Sequence, residues 1–98
     1  MTRMEKIRSL FVECKPELAR RFKVKEIALF GSYVRGENTA GSDLDVLVDF
    51  SAPIGLFAFL ELEEYLRKRA GVRRVDLVSK KALKPIIGKA IIREAVRL

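Results

Sequence analysis

The segment from Gly31 to Phe50 constrains the fold of this chain more than any other. It reads GSYVRGENTAGSDLDVLVDF, and it follows the apolar run VKEIALF. Alternating apolar residues on both sides of a polar, glycine-containing loop are typical of two β-strands. The pattern predicts that the first strand stops at Gly31. The second strand, DLDVLVDF, is predicted to be buried, yet two acids, Asp43 and Asp45, lie at its start.

Apolar spacing predicts the remaining elements. The first 22 residues have helical periodicity. A helix is expected from Gly55 to Arg69, and its core-facing residues are Leu56, Phe59, Leu60, Leu62 and Leu66. RRVDLVS, residues 73–79, is expected to be a third strand, and Pro85 to Leu98 a last helix. This order predicts an α/β or α+β fold, with a small mixed sheet of three to four strands flanked by helices.

The length of 98 residues fits one domain, residues 1–98. The N-terminus is charged and amphipathic, and no apolar stretch approaches the roughly 20 residues of a membrane span. We therefore expect a soluble, cytoplasmic protein without a membrane partner. One cysteine and no histidine exclude an internal disulfide and His- or Cys-based metal sites, so oxygen atoms must hold any metal.

The net charge of +7 is unevenly distributed. Residues 1–66 carry a net charge of −2, whereas residues 67–98 carry +9. A basic C-terminal third suggests an acidic protein surface, substrate phosphates or a polyanion as partner. It is equally consistent with a solvated surface that only aids solubility. Nucleic acid is disfavoured because no aromatic residue interleaves these charges.

Three aspartates are candidate metal ligands. Residues two apart on a strand point to the same side, so Asp43 and Asp45 aim together, and Asp76 joins them if the second and third strands are neighbours. Three carboxylates repel one another unless cations lie between them, and Mg²⁺ or Mn²⁺ suits oxygen ligands. Two such ions about 3.5–4 Å apart can activate an attacking oxygen and stabilise a leaving phosphate. Taken singly, Asp43 and Asp45 are better explained as a cap or an edge-strand charge, and Asp76 as an ion-pair partner of Arg73 or Arg74.

Gly31 and Ser32 are candidate phosphate ligands. A strand that ends at glycine and leads into a helical turn presents backbone N–H groups to an anion, and the Ser32 hydroxyl adds a donor. An ordinary turn is the simpler interpretation of the pair alone. Opposite three carboxylates, however, the pair would hold a triphosphate with its metals.

These residues together resemble the minimal nucleotidyltransferases of the DNA polymerase β-like superfamily. The resemblance rests on Gly31-Ser32, ten intervening residues, Asp43-x-Asp45 and a later lone Asp76 in an apolar strand. The strings GSYVRG and SDLDVLV are also similar to the antitoxin of HEPN/MNT toxin–antitoxin pairs.

The resemblance implies roles for individual positions. Asp43, Asp45 and Asp76 would be the catalytic carboxylates that hold two Mg²⁺ ions, with Mn²⁺ as an alternative. Gly31 and Ser32 would contact phosphate, and Arg35 and Ser42 occupy further positions that this subgroup uses for the nucleotide.

The resemblance also implies a reaction and a partner. AMP from ATP, or another NMP from its NTP, would be transferred to a hydroxyl of a HEPN ribonuclease toxin, which is thereby silenced. A homodimer is a further possible assembly. Two alternatives stay open: an antitoxin that masks its partner without catalysis, and a nucleic-acid-binding protein that uses the basic C-terminal third.

Overall fold

A computed structural model of the chain describes residues 2–98. The elements are α1 (Arg3–Glu13), α2 (Lys15–Phe22), β1 (Val24–Phe30), α3 (Ser32–Arg35), β2 (Leu44–Phe50), α4 (Leu56–Ala70), β3 (Val75–Ser79), a 3₁₀ turn (Lys80–Ala82), α5 (Pro85–Glu94) and β4 (Val96–Arg97). Pro16 lies in the first turn of α2, where its missing N–H leaves no helical hydrogen bond unmade.

The four strands form one mixed sheet in the order β3-β2-β1-β4. β1 is antiparallel to both β2 and β4, whereas β2 and β3 run parallel and are connected through α4. The expected small mixed sheet flanked by helices is confirmed. The parallel pair matters most for the site, because it places Asp45 directly beside Asp76.

One face of the sheet carries the larger core. It packs against α1, α2 and α4 through fully buried side chains such as Phe11, Leu18 and Leu62. The sheet contributes alternate residues of each strand, among them Leu29 of β1 and Val46 of β2. This alternation is the two-residue period on which the strand predictions rested.

The opposite face carries a smaller core. Ala28, Phe30 and Leu47 are buried there, and Val78, Leu83, Ile91 and Ala95 pack against them from β3, α5 and the segments that flank α5. Asp45 lies on this same face, because it is two residues from Leu47 on β2. The smaller core therefore covers only part of this face, and Asp45 lies at the end that it leaves uncovered.

The predicted core positions at the start of α4 were wrong. Leu56 is 69% exposed and Leu60 is 49% exposed, while Leu62 and Leu66 are fully buried. The helix therefore packs on the core through the face that carries Leu62, Leu66 and Ala70. Near its start, Phe59 packs against Phe50 with ring centroids 6.3 Å apart.

The predicted last helix ends earlier than expected, at Glu94. The chain then turns into β4, where Leu29 pairs with Val96 and Ala28 with Arg97, and the Leu98 N–H donates to the Ile27 carbonyl. Without β4, the outer backbone groups of β1 would lack strand partners. Hydrogen bonding to this edge explains why the helical pattern does not continue to the C-terminus. None of the helices within residues 2–98 is long and apolar enough to cross a membrane.

The difference in burial between Leu60 and Leu62 of α4 gives a direct test of the larger core. We expect Leu62→Ala to lower the free energy of unfolding by about 2–5 kcal/mol, because it leaves a cavity in the larger core. Leu60→Ala, the same change on the same helix, should lower it by less than about 1 kcal/mol. Urea denaturation followed by circular dichroism measures both, and equal losses would contradict the arrangement.

Candidate active site

Asp45 is the central residue of the candidate site. It pairs with Asp76 across the parallel strands and with Phe30 across the antiparallel ones, and it is only partly exposed. Burial, and then the nearby carboxylates of Asp76 and Asp43, raise the pKa of Asp45 to about 6. The folded chain therefore holds carboxylates closer together than their charges favour.

Asp76 and Asp43 flank Asp45 in different environments. Asp76 is exposed on β3, whereas Asp43 precedes β2 and has a carboxylate oxygen 3.9 Å from Nε of Arg74. No three His, Cys, Asp or Glu side chains among residues 2–98 are grouped closely enough to hold a metal ion as they stand. The structure thus brings Asp45 and Asp76 together and leaves Asp43 beside them, turned towards an arginine. These three residues are called the acidic site below.

Gly31 lies directly against the acidic site. A Cβ atom at this position would be 1.9 Å from Oδ2 of Asp45, closer than any side chain can approach. The backbone of Gly31 also has φ +79°, a conformation that side chains disfavour. Glycine is therefore required for two reasons: the backbone conformation, and the Asp45 carboxylate that occupies the space a side chain would need.

The turn after Gly31 is short. The N–H groups of Val34 and Arg35 both donate to the Gly31 carbonyl, so the amides of Ser32 and Tyr33 precede the first hydrogen bond of α3. The Ser32 hydroxyl makes no hydrogen bond to another described residue. Because α3 has only four residues, its dipole is small, and a phosphate would bind through these individual donors.

Arg35 lies at the end of α3 and is engaged in two ion pairs. Its Nε donates to Glu37 at 3.1 Å, and its Nη1 donates to Glu94 at 2.5 Å. Sequence reasoning missed Glu94, which is 59 residues away and belongs to no motif. No local signal could have identified it, because the contact depends on how α5 crosses the sheet.

Ser42 shapes the loop before the acids. Its hydroxyl accepts a hydrogen bond from the Thr39 N–H at 2.8 Å, and its own N–H donates to the Thr39 carbonyl at 3.1 Å. These bonds close a turn that leads into Asp43. Ser42 therefore has a structural role in the loop, and its predicted contact with the nucleotide stays a prediction.

The donor set fits a hard divalent cation. Carboxylate oxygens are the only ligands that the acidic site offers, and Mg²⁺ and Mn²⁺ prefer oxygen. Burial and, after it, the charges of Asp76 and Asp43 raise the pKa of Asp45, and a cation between Asp45 and Asp76 would relieve the repulsion between the carboxylates. Such a cation would also draw the Asp43 carboxylate away from Arg74.

Comparisons with known proteins identify the family of this chain. The sequence model described as "Nucleotidyltransferase domain" matches residues 12–97. The protein adenylyltransferase MntA of Thermococcus cleftensis is 51% identical over 96 residues, which cover 98% of this chain and 96% of that protein.

Two solved structures have the same fold. A proposed minimal nucleotidyltransferase superposes with a TM-score of 0.80 at 36% identity, covering 97% of this chain and 95% of that one. A toxin–antitoxin complex with AMP-PNP superposes with a TM-score of 0.71 at 25% identity, covering 96% of this chain and 70% of the other. The chain therefore belongs to the nucleotidyltransferase domain family and is an enzyme of that class, which confirms the resemblance drawn from Gly31-Ser32 and Asp43-x-Asp45.

Proposed function

We propose that this enzyme transfers AMP from ATP to a hydroxyl group of a partner protein and so acts as an antitoxin towards a HEPN-type ribonuclease. The observation that carries the proposal is the placement of Asp45 beside Asp76 and directly against the Gly31 backbone, where the Gly31–Ser32 turn begins. Carboxylates for cations and amide donors for phosphate then lie side by side. Together they would stabilise the charge that develops when a nucleoside triphosphate loses pyrophosphate.

The Gly31–Ser32 turn would bind the phosphates. The amides of Ser32 and Tyr33, which precede the first hydrogen bond of α3, and the Ser32 hydroxyl would donate to phosphate oxygens. Arg35, one turn later, is placed to add a positive charge. ATP is favoured as the nucleotide by the name of the Thermococcus relative, an adenylyltransferase, and by AMP-PNP in the solved complex.

Asp43, Asp45 and Asp76 would hold Mg²⁺, which supplies charge neutralisation for the triphosphate and lowers the pKa of the attacking hydroxyl. The acceptor oxygen forms a bond to the α-phosphorus while the bond from that phosphorus to pyrophosphate breaks. Pyrophosphate leaves with the electron pair. Asp76, the exposed carboxylate of the three, is placed to take up the acceptor's proton.

An acidic partner protein is supported by the surface of α5. Ile86 is 86% exposed at the start of this helix, and Lys84, Lys89 and Arg93 have no carboxylate within 4.0 Å among residues 2–98. α5 covers the same face of the sheet that carries Asp45. A protein bound on α5 would therefore have its hydroxyl close to the acidic site. A homodimer through the exposed start of α4 is a separate possibility within this proposal.

Substitution of the acids tests the transfer reaction. With a HEPN-type protein as acceptor, ATP and Mg²⁺, we expect Asp45→Asn and Asp76→Asn to lower the transfer rate at least about 10²-fold, because electrostatic stabilisation of the transition state is lost. Asp49→Asn is the matched control, since Asp49 lies on the same strand and face but four residues further along. Label from α-³²P-ATP should enter the protein, whereas label from γ-³²P-ATP should not.

The same experiment separates the alternatives. Full transfer by Asp45→Asn would contradict the proposal. A complex that inhibits the acceptor without any label would instead identify a masking antitoxin. Tight, salt-dependent binding to oligonucleotides would favour the nucleic-acid alternative.

Asp45→Asn should also change stability in a metal-free buffer. Because the pKa of Asp45 is raised to about 6, the folded chain holds this proton more tightly than the unfolded chain does, and stability falls as pH rises from about 4 to 6. At pH 7.5 the variant should be about 1 kcal/mol more stable, less than the full shift implies because water screens the partly exposed carboxylate.

Chemical denaturation at pH 7.5 and pH 4 measures this difference, which should vanish at the lower pH. Added Mn²⁺ should stabilise the wild-type protein more than the variant. A variant that is less stable than wild type at pH 7.5 would show that the carboxylates are not crowded.

A further inference from the structure

We propose that Glu94 is a positioning residue that holds Arg35 ready to contact the nucleotide phosphates. The inference rests on the proposed nucleotide site. It adds a role for a residue of α5, which lies outside the glycine–serine turn and the three acids. Glu94 would touch neither nucleotide nor acceptor and would act through Arg35.

Arg35 is held by two carboxylates but keeps some of its N–H donors free. A guanidinium carries five N–H groups, and the contacts to Glu37 and Glu94 occupy one on Nε and one on Nη1. Both hydrogens of Nη2 and one of Nη1 remain for a phosphate. Arg35 is also near enough for its charge to lower the pKa of Asp45, against the larger effect of burial. The guanidinium of Arg35, at the end of the four-residue helix that follows Gly31, therefore lies near the acidic site.

Glu94 is the firmer of the two anchors. Its side chain is 29% exposed, whereas that of Glu37 is 62% exposed. Glu94 is also fixed at its base, because Ile91 and Ala95 on either side pack into the smaller core. The carboxylate of Glu94 thus ties the end of α5 to the end of α3.

This anchoring has a clear energetic consequence. A free arginine loses the entropy of its several rotatable bonds when it binds a phosphate. An arginine that is already held loses less, so the same contact contributes more to affinity. The alternative is that Glu94 competes with the phosphates for Arg35, in which case its removal would strengthen nucleotide binding. The two possibilities predict changes of opposite sign in the Kd for the nucleotide when Glu94 is removed.

Calorimetric titration with AMP-PNP and Mg²⁺ distinguishes these signs and needs no partner protein. We expect Glu94→Ala to raise Kd about three- to tenfold, the range expected when one long side chain loses its ordering. Glu94→Gln, which keeps the length and a hydrogen-bond acceptor, should raise Kd by less.

Glu26→Ala is the matched control. Glu26 pairs with Arg97 at 2.6 Å, is 32% exposed, and likewise ties the C-terminal segment to the sheet, but at the end remote from the acidic site. It should lower thermal stability as much as Glu94→Ala does and leave Kd unchanged. A purely structural role for Glu94 would make the two variants alike in both measurements.

A double-mutant cycle tests whether Glu94 acts through Arg35. In an Arg35→Ala background, Glu94→Ala should change Kd no further. An effect that persists there, or unchanged or tighter binding by Glu94→Ala alone, would overturn the inference. If Glu94→Ala does not fold, Glu94→Gln carries the same test. Failure of the wild-type protein to bind Mg²⁺ and AMP-PNP would instead contradict the proposed function itself.

Discussion

The parallel pairing of β2 with β3 is the interaction on which the rest of the structure depends. It fixes Asp45 and Asp76 side by side at a cost in electrostatic energy that the raised pKa of Asp45 makes visible. Burial of alternate residues such as Val46 and Leu77 on the other face of the same strands offsets this cost. The acids and the core are therefore two sides of one pair of strands.

The two faces of the sheet differ in how far helices cover them. Three helices cover the larger core completely, whereas α5 covers the other face only in part and leaves the end with Asp45 free. The end of α5 then connects to the turn after β1 through Glu94 and Arg35. A change in the position of α5 would thus be passed directly to Arg35 and to the turn that follows β1.

The extent to which sequence could predict this molecule follows from the range of each interaction. The strands around Asp45 and the turn at Gly31 were predictable because a two-residue period and a glycine are local signals. The neighbouring placement of Asp76 followed once β2 and β3 were assumed adjacent, and the pairing confirms that assumption. Whether the three acids together with Ser32 hold cations and phosphate stays a prediction.

Other features depended on packing between distant segments. The exposure of Leu56 and Leu60 reflects where the start of α4 lies relative to the sheet, which periodicity alone does not contain. The strand β4 competes with a continuing helix, and pairing with the open edge of β1 decides the outcome. The contact of Glu94 with Arg35 is likewise a product of the assembled fold.

The most direct measurement is a crystal structure of the protein with AMP-PNP and Mn²⁺, with anomalous scattering used to locate the manganese. The account predicts anomalous peaks between the carboxylates of Asp45 and Asp76, with Asp43 turned away from Arg74 and phosphate oxygens at the Gly31–Ser32 turn. Manganese and nucleotide bound elsewhere, with the three aspartates unchanged, would contradict it.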